Sequence, residues 1–442
     1  MKLVNTLFIV ASVFLAKESI ANCIRVTSTS SLSSDAIAAG YTASSWTGAS
    51  DTANSKNIGI PSVISLSSGT FQDAGTLLAS STLDFISQAL STPFTAQQVL
   101  FRCAVADADS IYEMYATNGD NAYSGMYTVG DIDNAYYSYV KNVAFRLTNT
   151  KTGNYYTRYW QSRKLTADDW YSDGTYIYVP ASAFSGVTIE LFRTESISYY
   201  GNTANTYSYG YSQPFGYIDF KGPGVSANIT DGADSANHYD GFYAYWPAGW
   251  SLYNTGTTFV RGAMCKVNDY PSVVTIPSIS VPLLASGTTS QANFTVSIEC
   301  ESGAVSSTAT STTRSANVSM GFLVNNPTAV SAAQSLGLTT SSGGLTWLLD
   351  DDYGTLDSIA SGVGIRIYSS NGTALNLLPS LSSFGTGNPG GWYAFGDITS
   401  LQSSGTTNIY SGEFIASLEA ISGQTITAGS VNAQLQVVVS FQ

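Results

Sequence analysis

A chain of 442 residues with 17 Lys+Arg, 30 Asp+Glu and a single histidine is short of charge, at 11% against about a quarter in an average soluble domain. The net charge of −13 speaks against nucleic acid, whose phosphates call for clustered Lys and Arg, and one histidine excludes a multi-histidine metal centre. A content of 44% hydrophobic and 12% aromatic residues, with many β-branched ones, rules against disorder, and the length suggests two or three domains.

Met1-Lys2 precedes the apolar run from Leu7 to Ala16 (LFIVASVFLA), which is followed by Ser19-Ile20-Ala21. A charged start, a ten-residue apolar stretch and a small-x-small site have the form of a secretory signal peptide. Residues 1–21 are therefore expected to be removed, starting the mature chain at Asn22-Cys23. No later run approaches the 18 apolar residues of a membrane span. All four cysteines (Cys23, Cys103, Cys265, Cys300) survive cleavage, and an even count in an exported chain points to disulfides. Of three connectivities, Cys23–Cys103 with Cys265–Cys300 is the simplest if two halves fold separately.

Tyrosine divides the chain, since 24 of the 29 lie before Cys265. The compositional shift places the boundary near residues 254–262, giving an N-terminal domain of residues 22–257 and a C-terminal domain of residues 258–442. The segment Ser80 to Leu90 (SSTLDFISQAL) suits a short helix ahead of a strand at Gln98 to Cys103. Val143, Phe145 and Leu147 alternate, Asn149 to Asn154 (NTKTGN) turns the chain, and Tyr156, Arg158 and Trp160 alternate again. Thr175 to Pro180 and Val187 to Phe192 read as further strands. Short β-type runs between Gly/Asn/Ser turns predict an all-β protein of two β-sandwich domains.

In the C-terminal half, Phe294, Val296 and Ile298 alternate into Cys300, and Val363, Ile365 and Ile367 share a face before an Asn371-Gly372 turn. The run Asp350-Asp351-Asp352 reads as a solvated turn. The ending GQTITAGSVNAQLQVVVSFQ places Val431, Ala433, Leu435, Val437, Val439 and Phe441 on one alternating face. Chain ends fray unless something ties them down, so that face requires a cover.

These features together resemble the pilin domains of chaperone–usher fimbriae. The likeness is carried by the cysteine pair with an F-x-V-x-I-x-C strand, GVGI…NGT, Gly412-x-Phe414 with Ala416, Gly429 and the penultimate aromatic Phe441. It covers roughly 180 residues, and its ending is similar to the pilin half of two-domain tip adhesins such as the type 1 fimbrial adhesin. The resemblance implies an incomplete immunoglobulin-like domain lacking one strand. Gly429, Val431, Ala433, Leu435, Val437, Val439 and Phe441 would line the groove for that strand. A periplasmic chaperone first lends a strand, at the outer-membrane usher a neighbouring adaptor or pilin subunit replaces it, and the product stands on the cell surface. A shaft subunit carries a free N-terminal strand to donate, which a chain beginning Asn22-Cys23 lacks. The expected place is the fimbrial tip.

Tip domains of that family are mostly lectins, so the resemblance implies glycan binding by the N-terminal domain. Sugar sites pair an aromatic platform with orienting polar groups. Three Gly/Asn-rich segments have that mixture: residues 118–134, 199–214 and 231–250. The candidates are Asp120, Asn121, Asn202 and Asp240 as polar groups, with Tyr207, Tyr209, Trp246 and Trp250 as stacking surfaces. The alternatives are a tip subunit that binds a protein receptor and a structural pilin that initiates assembly.

His238 reads as a surface loop residue. Asp231, Asp234, Asn237 and Asp240 are spaced by three but miss the D-x-[DN]-x-[DN]-G calcium loop, so neither metal nor cofactor is expected. No G-x-S-x-G occurs. Asp168-Asp169 and Asp131/Asp133 follow no spacing rule for a glycosidase pair, and an enzyme is not expected.

Overall fold

The computed structural model describes residues 22–50, 59–67, 71–89, 92–237, 242–253, 255–311 and 314–442. The expected signal peptide, His238 and Asp240 lie outside the described residues. No helix among them is long and apolar enough to cross a membrane.

Alternation of apolar and polar residues gives most of the chain its strands, because successive side chains of an extended backbone point to opposite faces. The principal strands of the N-terminal half are β1 (Val63–Ser67), β2 (Leu77–Leu83), β3 (Val99–Ala104), β4 (Tyr112–Thr117), β5 (Val143–Asn149), β6 (Tyr176–Pro180), β7 (Val187–Arg193), β8 (Thr206–Ser208), β9 (Gly216–Lys221) and β10 (Thr258–Gly262). They pair as β3 with β6, β2–β7–β5, β9 with β4, and β8–β10–β1. Aromatic rings fill the space between. Phe145 stacks on Phe215 at 3.9 Å, Phe101 on Phe220 at 4.1 Å, and Trp160 meets Trp246 edge-on. The Cys23–Cys103 disulfide ties the start of the described chain to β3.

One ion network is sealed into this core. Glu113 on β4 has no exposed surface. Its carboxylate accepts from Arg163 at 2.8 Å, from Asn149 at 2.8 Å and from the Ser185 amide and hydroxyl at 3.1 Å. A buried charge is tolerable when its lone pairs are occupied in this way.

The C-terminal half is built from β11 (Cys265–Asp269), β12 (Ser290–Glu301), β13 (Asn317–Val324), β14 (Val363–Ser369), β15 (Thr407–Ala420) and β16 (Leu435–Phe441). One sheet runs β11–β12–β15–β14, and β16 pairs with β13 in another. Val296 and Ile298, Met320 and Phe322, Phe414 and Ala416, and Phe441 share the core. Cys265 and Cys300 lie directly opposite one another in the β11–β12 ladder and are bonded.

Three expectations change. Ser80 to Leu90 is not one helix: β2 runs to Leu83 because it pairs with β7, and a single helical turn, Phe85–Gln88, follows under the Asp84 cap. Tyr156 to Trp160 precedes a strand at Gln161–Lys164 rather than forming one. The Asp350–Asp352 run is no solvated turn at its first residue. Asp350 is 3% exposed, and its carboxylate accepts the amides of Asp352 at 2.9 Å and Asn432 at 2.6 Å.

The halves meet through β1 and β10, which pair in parallel. On β1, Ile64 and Leu66 belong to the N-terminal core, whereas Val63 packs into the C-terminal one. Along β10, Phe259 faces the first and Val260 the second. Ser67 Oγ donates to the Glu301 carboxylate at 2.5 Å, which also accepts the Met264 amide at 2.9 Å. Phe441 N–H donates to Ser65 Oγ at 3.1 Å. The division expected between residues 257 and 258 thus falls at the start of a strand whose two faces serve different cores.

Candidate functional site

The three Gly/Asn-rich segments converge at Asn118-Gly119. Asn118 Nδ2 donates to Gln213 Oε1 and to the Pro214 carbonyl, both at 3.1 Å. The Gly119 amide donates to Ser235 Oγ at 3.0 Å, and that hydroxyl donates to the Thr117 carbonyl at 2.9 Å. A Cβ on Gly119 would lie 2.3 Å from Ser235 Oγ and 2.8 Å from the Ala236 amide nitrogen. Glycine is what lets the loops approach.

Beside this junction four tyrosines form a half-exposed platform. Tyr139 and Tyr211 stack with centroids 4.0 Å apart, Tyr123 meets both edge-on, and Tyr207 lies 5.9 Å from Tyr139. Asn121 fixes one rim, donating from Nδ2 to the Tyr211 hydroxyl at 2.8 Å and accepting the Tyr123 amide at 3.0 Å. Asn202 fixes another, its amide donating to the Tyr139 carbonyl at 2.9 Å. Gly201 lies against the Tyr139 ring, where a Cβ would fall 1.9 Å from a ring carbon. Burial raises the Tyr211 hydroxyl above its ordinary value, while the Asn121 hydrogen bond opposes the shift. The hydroxyl is therefore protonated at neutral pH and able to donate. Ring faces edged by amides and hydroxyls suit a ligand with both apolar C–H and hydroxyl groups.

Of the residues expected at such a site, Asp120, Asn121, Asn202 and Tyr207 surround this platform. Asp120 is part-exposed and close enough to Tyr211 to act on it electrostatically. Tyr209, Trp246 and Trp250 do not join them. Trp246 and Trp250 have no exposed surface, and Trp250 Nε1 donates to the Tyr156 hydroxyl. Tyr209 is 5% exposed and packs on Phe215 and Phe259. These three rings are core, where their large apolar area counts for most. Tyr123, Tyr139 and Tyr211 were missed as individuals. Two of them lie inside the flagged segments, and nothing in the local pattern separates them from structural tyrosines.

Four of the carboxylates considered for metal or catalysis have other partners. Arg158 takes Asp234 at 2.8 Å, and the Ser162 amide reaches Asp231 at 2.9 Å. Asp169 pairs with Arg163, while Asp131 accepts from Thr194 and Ser196 hydroxyls and the Glu195 amide. Among the described residues no group of three or more His, Cys, Asp or Glu is placed to hold a metal.

A second surface lies along β16. The register of β16 is antiparallel to β13 from Val318↔Phe441 to Val324↔Leu435. The Phe441 amide turns away from β13 to Ser65, and ladder alternation puts the Val439 and Val437 amides on that same outer edge. Ala433, Leu435, Val437 and Val439 pack on the C-terminal core yet stay partly exposed, whereas Phe441 is fully buried. Val431 packs in a separate cluster with Leu284, Ala360 and Val363. Gly429 crosses residues 358–360 so closely that a Cβ would sit 2.3 Å from the Ala360 nitrogen. Asp350 and Asp351 hold the lead-in to the strand through the Asn432 and Gln434 amides. A groove of about 480 Å³ opens between residues 269–275 and 292–295, including Phe294.

Residues 253–442 match the family described as fimbrial protein, so the C-terminal half of the chain is a fimbrial domain. Several solved structures are similar to the chain over stretches of different length. The CupB6 tip adhesin from Pseudomonas aeruginosa is 14% identical with a TM-score of 0.23, covering 88% of this chain and 94% of its own. The CsuC–CsuE chaperone–tip adhesion subunit complex of archaic chaperone-usher Csu pili from Acinetobacter baumannii gives 10% and 0.20, covering 86% and 97%. The P pilus rod subunit PapA gives 12% and 0.23, covering 40% and 91%. No curated protein matches the sequence.

Proposed function

We propose that the chain is a fimbrial tip adhesin: its N-terminal half binds a glycan, and its C-terminal half joins the fimbria by accepting a donor strand. The observation that carries the assembly reading is the outer edge of β16. Its amides face outward beside a row of half-covered apolar side chains, Leu435, Val437 and Val439. An added strand satisfies those amides and covers those side chains together, the β-augmentation mode of recognition. Four or five apolar side chains of the inserted strand, buried at ~1.5–3 kcal/mol each, contribute on the order of 6–15 kcal/mol, as large as the net stability of a domain. A periplasmic chaperone lends the strand first, and an adjacent subunit replaces it at the outer-membrane usher.

The folded residues ahead of the fimbrial domain supply the binder. The platform of Tyr123, Tyr139, Tyr207 and Tyr211, edged by Asn121 and Asn202, supports a saccharide ligand. Because β10 belongs to both cores, the full chain is the right object to test. Co-expression with a periplasmic fimbrial chaperone should yield soluble complex, and the complex should bind discrete structures on a glycan array. A stable monomer without any strand donor would remove the assembly reading. A blank result across a broad array would remove the glycan reading.

A further inference from the structure

Five cations of the N-terminal half are matched to carboxylates. Arg146 pairs with Glu190, Arg158 with Asp234, Arg163 with Glu113 and Asp169, Lys151 with Asp169, and Lys164 with Asp109. Arg25 lies over the Trp46 ring and Arg102 over Tyr176. Three further cations break this pattern and meet at one place.

Arg193 ends β7 opposite Val143, and the next residue, Thr194, exchanges hydrogen bonds with Asn142 at 3.1 and 3.0 Å. Arg261 on β10 reaches the same segment from the other side, donating to the Lys141 carbonyl at 2.8 Å. The Lys141 ammonium stands 5.3 Å from the Tyr200 ring centre. Arg193 and Arg261 therefore bring two guanidinium groups to residues 141–143, while the Lys141 ammonium extends toward Tyr200.

Among the described residues none of the three forms an ion pair. Asp131 and Glu195 act on Arg193 electrostatically. The Asp131 carboxylate, however, is already taken by Thr194, Glu195 and Ser196. Arg193 donates to the Thr194 carbonyl, and its buried Nε has no partner. Burial pushes both guanidinium groups below their ordinary value, and the charge of Arg193 lowers Arg261 further. Two guanidinium groups held close and half-desolvated, with no ion pair among the described residues and only the field of Asp131 and Glu195 against them, are unfavourable, and a bound anion relieves that cost. The planar guanidinium fork also matches the oxygens of a carboxylate or sulfate.

The trio adjoins the tyrosine platform. Asn202 joins them directly: its amide donates to the Tyr139 carbonyl at 2.9 Å and its carbonyl accepts the Lys141 amide at 3.0 Å. We propose that Lys141, Arg193 and Arg261 form an anion subsite for the carboxylate or sulfate of an acidic saccharide whose ring lies on the Tyr139–Tyr211 stack. This rests on the glycan reading and specifies its ligand class. The chain's net charge of −13 gives anions no long-range attraction, so selectivity arises at contact distance and weakens in high salt.

The test titrates the full-length chain with an oligogalacturonide, its carboxyl-reduced neutral counterpart and a sulfated oligosaccharide. At least one acidic probe should bind tenfold or more tighter than the neutral one. Lys141→Gln, Arg193→Gln and Arg261→Gln should each cut that advantage severalfold and leave neutral binding unchanged. If Arg261→Gln loosens β10, Lys141→Gln retains the test with an unchanged melting temperature. Preference for carboxylate over sulfate, or the reverse, supports the subsite and identifies the anion. Equal binding of acidic and neutral probes overturns the subsite and leaves the glycan reading standing. Binding of none overturns both.

Discussion

In the N-terminal half the Glu113 carboxylate is sealed beneath four donors. In the C-terminal half the closing strand, β16, pairs on one side and leaves half-covered valines on the other. Both halves are β structures with one disulfide each, yet the first finishes its own core and the second presents an edge. The difference teaches that strand content and disulfides do not by themselves complete a sandwich. Completion depends on whether the last edge has a neighbour.

The sharpest way to break this comparison is to remove Val437 to Gln442. Loss of β16 strips β13 of its partner, and soluble full-length chain should disappear even with a chaperone present, as read from periplasmic yield. Next in size is Glu113→Ala, which leaves Arg163 to Asp169 alone and the buried Asn149 and Ser185 donors without their acceptor, and should cost ~3–5 kcal/mol, measured by denaturant unfolding. Phe441→Ala should cost a similar ~3–5 kcal/mol, since that ring is fully buried. By contrast, Val437→Ala should be mild in the uncomplemented chain and much costlier once a donor strand covers it. Hydrogen exchange sharpens the same point. The Val437 and Val439 amides should exchange faster than those of Gln436 and Val438 until a strand is added. Tyr211→Ala should lower the melting temperature by a few degrees, since its ring stacks on Tyr139 and packs on the core, and weaken glycan binding at least tenfold, read by titration.

The smallest effect is one of pH. The Arg158 hydrogen bond holds Asp234 below the ordinary carboxylate value. Its contribution is complete above about pH 4 and is lost as pH falls through its folded value. Burial, with Asp350 and Asp352 adding like charge, raises Asp351. Acidification through that raised value adds stability around β16, until the unfolded chain also protonates near about pH 4. Region-resolved hydrogen exchange should show the C-terminal half gaining slightly while the N-terminal half holds, and Asp351→Asn should abolish the gain.

Strands with strict alternation, such as β5, β7, β12 and β16, were legible because period-2 patterning is local. The fate of an aromatic side chain was not. Trp246 and Tyr207 both sit in Gly/Asn-rich segments, but only contacts distant in sequence make one core and the other rim. Asp350 misled for a related reason: a carboxylate run reads as solvated unless the amides it will accept, here from Asn432, are known. The parallel pairing of β1 with β10 leaves no local trace, because its two strands are far apart in the chain.

That pairing bears on how such proteins exchange parts. Val63 and Ser65 face the C-terminal core, and Ser67 bonds Glu301. A recombination event that cut the chain at residue 257 would carry β1 away with the N-terminal half and leave β10 behind. The new fimbrial domain would then have to supply a matching socket for Val63, and an acceptor in the place of Glu301. A graft of this N-terminal half onto another fimbrial domain should therefore need the surface it rests on as well, and one that ignores residues 63–67 should fail to fold at the joint.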